Sequence, residues 1–383
     1  MFDDIYEKIV KNKDNHNKGY YNCIPFIGLE RLEKYLPGIE QASYFLVTAS
    51  SGVGKSKLSR YLFMHSPMMF LKADKEINPN SELKLNVLYF SLEESKEKVI
   101  LSEISKYLHT KYKLSISVKE LSSIGRYNTI SEDVLLKVKE AKEYVNEFLS
   151  NVTIYDNIRN ATGIYKTVRD FALTIGTYYD KNNVKLTPIE ITNIVKGIGE
   201  DYKKVSYYKK HNDKHFVIVL IDHISLLQPE QGENLHQAIS KMSSNYCLHI
   251  RDKFGFTPVV VQQQSAAKEA VETNYLGKTI EEKLEPSLDG LGDNKLTQRD
   301  VNIAIGLFAP DRYKIETHNG YNIMKLKDNY RSLNILKSRD GVSNKKLPLF
   351  FNGAVDYFKE MPKSDDENLI NQVYKLIETL NNK

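Results

Sequence analysis

Between Tyr44 and Met64 the chain reads YFLVTASSGVGKSKLSRYLFM, an apolar run, a turn of small residues and then an amphipathic pattern. Small residues after a buried strand let backbone N–H groups close around an anion, and a following helix points its positive N-terminal end at the same place. Ala49, Ser50, Ser51, Gly52, Val53 and Gly54 would form that cradle. Lys55 would reach the outer phosphates of a nucleotide such as ATP, and the Ser56 hydroxyl would ligate Mg²⁺. The usual pattern opens on Gly where this chain has Ala49, so Gly54, Lys55 and Ser56 are the fixed positions met. The plain alternative is an ordinary Gly-rich strand-to-helix turn.

Three further strand ends carry polar chemistry. HFVIVLIDH places Asp222 at the end of an apolar run, where a carboxylate is costly to bury without a cation or hydrogen-bond partners. At the C-terminal edge of a parallel strand it would face the same crevice as the phosphate loop and suit a Mg²⁺-holding acid. VLYFSLEES supplies Glu93, placed to orient and deprotonate an attacking water, whereas Glu94 reads as a charge favouring the start of the next helix. VVVQQQS ends in glutamines; Gln262 and Gln264 share a face, and an amide there could sense the terminal phosphate.

These residues need a scaffold. Strand-like segments lie at Tyr44–Thr48, Leu85–Glu93, Asn151–Asp156, Phe216–His223, Thr257–Gln264 and Val301–Phe308, with helical patterns between them. Continuous apolar runs suit strands covered on both faces, so the fold class is α/β with a largely parallel central sheet flanked by helices. Thr129 with Glu132 resembles a capping box opening a helix over Ser131–Leu149, and Thr162 suits the cap of another over Gly163–Thr177. Residues 108–214 are longer than one crossover needs and are read in part as a helical insertion. Its segment from Tyr178 to His215 interleaves Tyr and Lys, as a solvated helical face or a single-stranded nucleic-acid platform would. GYNIMKLKDNYRSLNILKSRDG predicts a C-terminal antiparallel hairpin turning at Lys327–Asn329, with LPLFF as a third strand. Phe2, Ile5, Tyr6, Ile9 and Val10 recur at helical spacing, followed by a polar linker, and Glu367–Leu380 closes the chain as a helix.

The 383 residues carry a net charge of +5, too little to indicate a nucleic-acid partner without a local basic footprint. Two distant cysteines, Cys23 and Cys247, argue against zinc and disulfide frameworks. No apolar run approaches the roughly 18 residues of a membrane span, and the charged N-terminus is no signal peptide, so the expected location is cytoplasmic.

Taken in order, IPFIGLERLEKYLPGIEQASYFLVTASSGVGKS, VLYFSLEES, VIVLIDHISLL, TPVVVQQQSA, EPSLDGLGDNKLTQRD and LNILKSRDG resemble the RecA-like motor domain of DnaB-like replicative helicases, over roughly residues 25–360. That family characteristically opens its phosphate loop with alanine. The resemblance implies that Lys55 and Ser56 bind phosphate and Mg²⁺, Glu93 is the base, Asp222 the second Mg²⁺-associated acid and Gln264 the sensor. Lys337 and Arg339 match its paired basic fingers, which reach a nucleotide held by a neighbouring subunit, and their spacing points both the same way from a strand. The DNA-contacting loop would fall at about 265–298, with Lys268, Lys278, Gly292 and Lys295 as candidates, although Leu291 stands where such helicases usually have arginine. Backbone amides of the Gly-rich stretch could hold DNA phosphates.

The implied protein is a phage-type ring helicase, cytoplasmic in its host, using ATP and Mg²⁺ to move as a homo-oligomer, typically hexameric, on single-stranded DNA, with replication proteins as possible partners. Residues 1–24 would be a linker helix docking on the adjacent subunit in place of the family's N-terminal domain, 25–360 the motor and 361–383 a helical tail. Two alternatives stay open: a RecA- or KaiC-like ATPase without unwinding, and a helicase-derived nucleotide-binding adaptor.

Overall fold

The computed structural model describes residues 2–17, 22–187, 190, 205–265, 281–339 and 341–381. One nine-stranded sheet forms its centre. In chain order the strands are β1 (Phe45–Ala49), β2 (Lys84–Ser91), β3 (Val152–Tyr155), β4 (His215–Asp222), β5 (Thr257–Gln263), β6 (Ile303–Phe308), β7 (Tyr330–Ser338), β8 (Lys345–Asn352) and β9 (Tyr357–Glu360). Across the sheet they lie β9-β8-β7-β6-β1-β5-β4-β2-β3. Neighbours from β6 to β3 are parallel, and β7, β8 and β9 add on antiparallel. Every residue of β1 and β4 is buried, as unbroken apolar runs demand. Side-chain alternation feeds two cores: Phe45 and Val47 join Leu58, Phe63 and Val261 on one face, while Leu46 joins Phe90, Val219, Ile239 and Val260 on the other.

Helices cover both faces. After β1 come α2 (Lys55–Arg60), a π turn (Tyr61–His65) and α3 (Ser66–Ile77). The π turn precedes Pro67, whose missing N–H interrupts the regular hydrogen-bond ladder. α4 (Lys96–Tyr112) follows β2, and α7 (Ala161–Ile175) follows β3. Leu235–Ser240 (α8) runs through a second π turn into Leu248–Phe254 (α9) before β5. The last helix, α10 (Glu367–Asn381), sets Ile370 and Ile377 against Tyr321, Ile323, Leu326 and Tyr330. At the other end α1 (Phe2–Asn17) extends into the stretch expected as linker, and Phe2, Ile5, Tyr6, Ile9 and Val10 are all exposed on it. No helix among the described residues is long and apolar enough to cross a membrane.

Several expectations are corrected. Ser131, not Thr129, caps its helix by accepting from the Val134 amide at 3.4 Å, and the helix breaks at Ala141 into α5 (Glu132–Glu140) and α6 (Lys142–Asn151). The Ala141 amide bonds back to Val138 at 3.0 Å, tightening and ending α5. α7 is capped by Asn160, whose Oδ1 accepts from Gly163 at 2.6 Å, because the Thr162 hydroxyl is engaged with Tyr246 at 3.0 Å. The hairpin turns between β7 and β8, past residue 339, and not at Lys327–Asn329. Upstream, Ile323 and Leu326 lie three apart and are both buried, so that stretch closes as one helical turn capped by Asn322.

Within 108–214, β3 forms one edge of the main sheet and α7 packs on the core through Ile164 and Val168. A two-stranded ribbon pairs Gly176–Asp180 with Val205–Lys210. Its tyrosines divide by face: Tyr178 and Tyr208 pack toward Phe254, while Tyr179 stacks on Tyr207 at 5.2 Å. Positions 188–189 and 191–204 of the Tyr/Lys segment lie outside the described residues.

Candidate nucleotide site

Residues 50–54 turn from β1 into α2 with Gly52 at φ 71° and Gly54 at φ 105°. A side chain at Gly54 would stand 3.3 Å from the Phe351 ring, so that ring is the floor of the loop. Arg331, buried on β7, donates from Nε to the Val53 carbonyl at 2.8 Å and from Nη2 to Asp328 at 2.7 Å. Its guanidinium also lies 4.5 Å over the Phe351 ring. Burial pulls the Arg331 pKa below the usual arginine value, and Asp328 opposes the shift. Arg312, on the turn after β6, donates to the Ser51 carbonyl. No motif in the sequence marks Arg331, Arg312 or Phe351. The available signal was an arginine in a strand whose tyrosine, leucines and isoleucine mark it as buried, a place that a guanidinium occupies only with partners.

Lys55 opens α2 with its side chain buried and makes no ion pair among the described residues. Ser56 Oγ donates to Asp222 Oδ1 at 3.0 Å, and Tyr89 OH donates to Asp222 Oδ2 at 3.2 Å. Burial pushes the Asp222 carboxyl up to about 6, against the pull of Arg60, Ser56 and Lys55. The donor set fits a Mg²⁺ ion. Its oxygens are hard, and at 3.0 Å Ser56 and Asp222 are spaced like adjacent ligands of an octahedron with bonds of about 2.1 Å.

Glu93 lies just past β2, its side chain 54% exposed and 3.7 Å from His223 Nε2. Burial lowers the His223 pKa to about 4, with Lys55 adding to the effect and Asp293 opposing it. Glu94 does not serve as a free charge at a helix start. Ser95 caps α4 by accepting from Lys98 at 3.4 Å, and Glu94, with its side chain 37% exposed, pairs with the buried Arg60. Glu93 therefore carries the one open carboxylate of the pair.

Gln264 is buried beside β1. Its Nε2 donates to Thr48 Oγ1 at 2.9 Å and to the Ser287 carbonyl at 3.0 Å, while its backbone N–H reaches the Ala49 carbonyl at 3.1 Å. Gln262, on the same face, donates to the carbonyls of Gly292 at 2.6 Å and Asn294 at 2.8 Å. Both glutamines thus tie the phosphate-loop strand region to the segment 287–294. The amides of Gly290, Leu291 and Gly292 donate to the carbonyls of Ser287, Leu288 and Gln263, so these three are already engaged within the chain. Lys295 is exposed; Lys268 and Lys278 lie outside the described residues.

Lys337 and Arg339 sit at the far end of β7. Lys337 Nζ donates to the Gln298 carbonyl at 2.5 Å and Arg339 Nη2 to the Arg299 carbonyl at 3.0 Å, so both side chains lie on one side. Ser338 pairs with Ile303, which pairs with Phe45 at the start of β1, whereas the phosphate loop follows the end of β1. At about 3.3 Å per residue the two ends of β7 are some 26 Å apart. Arg331 therefore serves the chain's own loop and the Lys337–Arg339 pair faces away from it.

A phosphate-type loop after β1, with an acid-ended strand two places along a parallel sheet, defines the RecA-like α/β ATPase fold. More particularly, it is the fold found in the ATPase domains of DnaB-like helicases. The chain is similar to a solved structure of the ATPase domain of a phage protein, with a TM-score of 0.62 and 17% identity, covering 93% of this chain and 98% of that one. It is also similar to a DnaB-like replicative helicase solved in a study of its interactions with primase, with a TM-score of 0.59 and 18% identity. There it covers 88% of this chain and spans 63% of the other. No family model and no curated protein matches the sequence.

Proposed function

We propose that the protein is an ATP-driven DNA helicase that assembles as a ring, a hexamer, and moves on single-stranded DNA during replication. The observation that carries this reading is the placement of Lys337 and Arg339 at the end of β7 level with the start of β1, opposite the end from which the chain's own phosphate loop leaves. Cations so placed serve a nucleotide only when a neighbouring copy brings one. ATP bound with Mg²⁺ would supply the phosphoryl group whose hydrolysis drives the motor. The loop 49–54 and Lys55 would hold the phosphates, Ser56 and Asp222 the metal, and Glu93 would orient the attacking water and take its proton. Gln264, bonded at once to Thr48 and to the Ser287 carbonyl, is placed to pass the state of the site to the segment bearing Gly292 and Lys295. The exposed apolar face of α1 offers a second contact for an adjacent copy. The fold likeness to a phage ATPase domain and to a DnaB-like replicative helicase supports the same reading.

The test is DNA-stimulated ATP hydrolysis and duplex unwinding, measured on the assembly that forms with ATP and single-stranded DNA. Stimulated turnover and unwinding by a ring are expected. A hexamer inert in both assays would refute the proposal, and a strand-exchanging filament would point to a recombinase.

A further inference from the structure

We infer that Arg60 is a positioning residue for hydrolysis, which fixes the Glu93 carboxylate by holding Glu94 and thereby acts on kcat and not on nucleotide affinity. The inference rests on Glu93 being the base. Arg60 lies one helical turn beyond Ser56 on α2 and is 2% exposed, so it touches no solvent-borne ligand. A guanidinium so deeply buried requires acids around it, and three elements supply them. Its Nη2 pairs with Asp356 Oδ2 at 2.7 Å, its Nη1 pairs with Glu94, and its charge acts on Asp222 and Tyr89.

Asp356 is itself fixed, pairing with Lys57 at 2.8 Å and accepting from Ser102 at 2.6 Å. Arg60 is therefore an immobile post, and Glu94 is the group that is held. Around Glu93 the chain is pinned on both sides. The Leu92 amide donates to the Asp222 carbonyl at 2.7 Å, and Leu92 is buried. Ser91 Oγ donates to the Glu94 carbonyl at 2.6 Å and accepts from the Glu94 amide at 3.3 Å. The Arg60–Glu94 pair adds a side-chain anchor next to Glu93, which lies 3.7 Å from His223 directly after Asp222. The fork of arginine reaches two acids in different directions, which a lysine cannot do.

Glu94→Gln is the cleanest probe, because it removes the anchor while leaving the buried Arg60–Asp356 pair intact. Steady-state hydrolysis with single-stranded DNA and titration of a fluorescent ATP analogue with Mg²⁺ are measured on the assembled full chain. A misplacement of about 1 Å is worth up to 10²-fold in rate, so kcat should fall about ten- to hundredfold with the dissociation constant within about twofold. Arg60→Lys, provided that it melts as the parent does, should lower kcat alike, and the double variant should be no slower than the slower single variant. A Glu94→Gln kcat within about twofold of the parent, an equal loss in kcat and affinity, or additive effects in the double variant would each overturn the inference. A parent chain that binds ATP but never hydrolyses it would overturn the proposed function, and this inference with it.

Discussion

Gly54→Ala puts the floor of the phosphate loop to the test. Gly54 sits at φ 105°, where an L-residue is disfavoured by about 1–2 kcal/mol. The added methyl would also stand 3.3 Å from the Phe351 ring. That ring has little freedom to give way, stacked on Phe358 at 4.7 Å between centroids and lying 4.5 Å from the Arg331 guanidinium. Overpacking there adds about 1 kcal/mol. The strain is relieved by shifting the loop, which moves its N–H groups out of register with a bound phosphate. A total of about 2–3 kcal/mol corresponds to nucleotide binding about 30- to 150-fold weaker. Gly52→Ala is the control: φ is 71° but the nearest atom, Arg312 Nη1, is 3.8 Å from the new methyl. Only the backbone term of about 1 kcal/mol remains, or about fivefold. Titration of both variants with a fluorescent ATP analogue and Mg²⁺ decides the matter. Parent-like binding by Gly54→Ala, or a greater loss in Gly52→Ala, would refute the reasoning.

Gln264→Ala should leave basal ATP hydrolysis within a few-fold of the parent but abolish most of its stimulation by single-stranded DNA, because the link from Thr48 to Ser287 is cut. Retained stimulation, read from rates with and without DNA, would exclude that path. His65 is half-buried in the π turn after α2, and its desolvation there, with Lys106 nearby, holds its pKa down to about 3. A histidine kept neutral in the fold gains its proton only on unfolding, so its stability contribution is complete above the unfolded value of about 6.5 and is lost as pH falls below it. Urea midpoints at pH 7 and pH 5 should show the parent losing about 2 kcal/mol more than His65→Gln over that interval. Equal losses in the two proteins would show that His65 does not control the acid sensitivity.

Much of the sheet was legible because β1, β4 and β5 are buried on both faces and announce themselves as apolar runs ending in Ala49, Asp222 and Gln263. The meeting of Ser56 with Asp222 followed from two strand ends sharing one crevice. Local cap chemistry was harder, since Thr129 and Ser131, or Asn160 and Thr162, are equivalent in spacing until a tertiary partner such as Tyr246 claims one of them. The supports of the phosphate loop were invisible for a different reason. Arg331 and Phe351 lie far from Gly54 along the chain, and only the antiparallel extension of the sheet brings them beneath it. The role of Glu94 is hidden because its partner Arg60 reads in sequence as one more surface cation of an amphipathic helix.

The division of the active centre between copies is tested most directly by mixing two crippled chains. Glu93→Gln lacks the base but keeps the far pair, while Arg339→Ala keeps the base but lacks half of that pair. Each alone should hydrolyse ATP at least about 10³-fold more slowly than the parent. Combined in equal amounts and allowed to reassemble with single-stranded DNA, about a quarter of the interfaces would join an intact Glu93 to an intact Arg339, and hydrolysis should return to about that fraction of the parent rate. A mixture no more active than its components, or an Arg339→Ala chain that turns over at the parent rate, would contradict a site completed by the neighbouring copy.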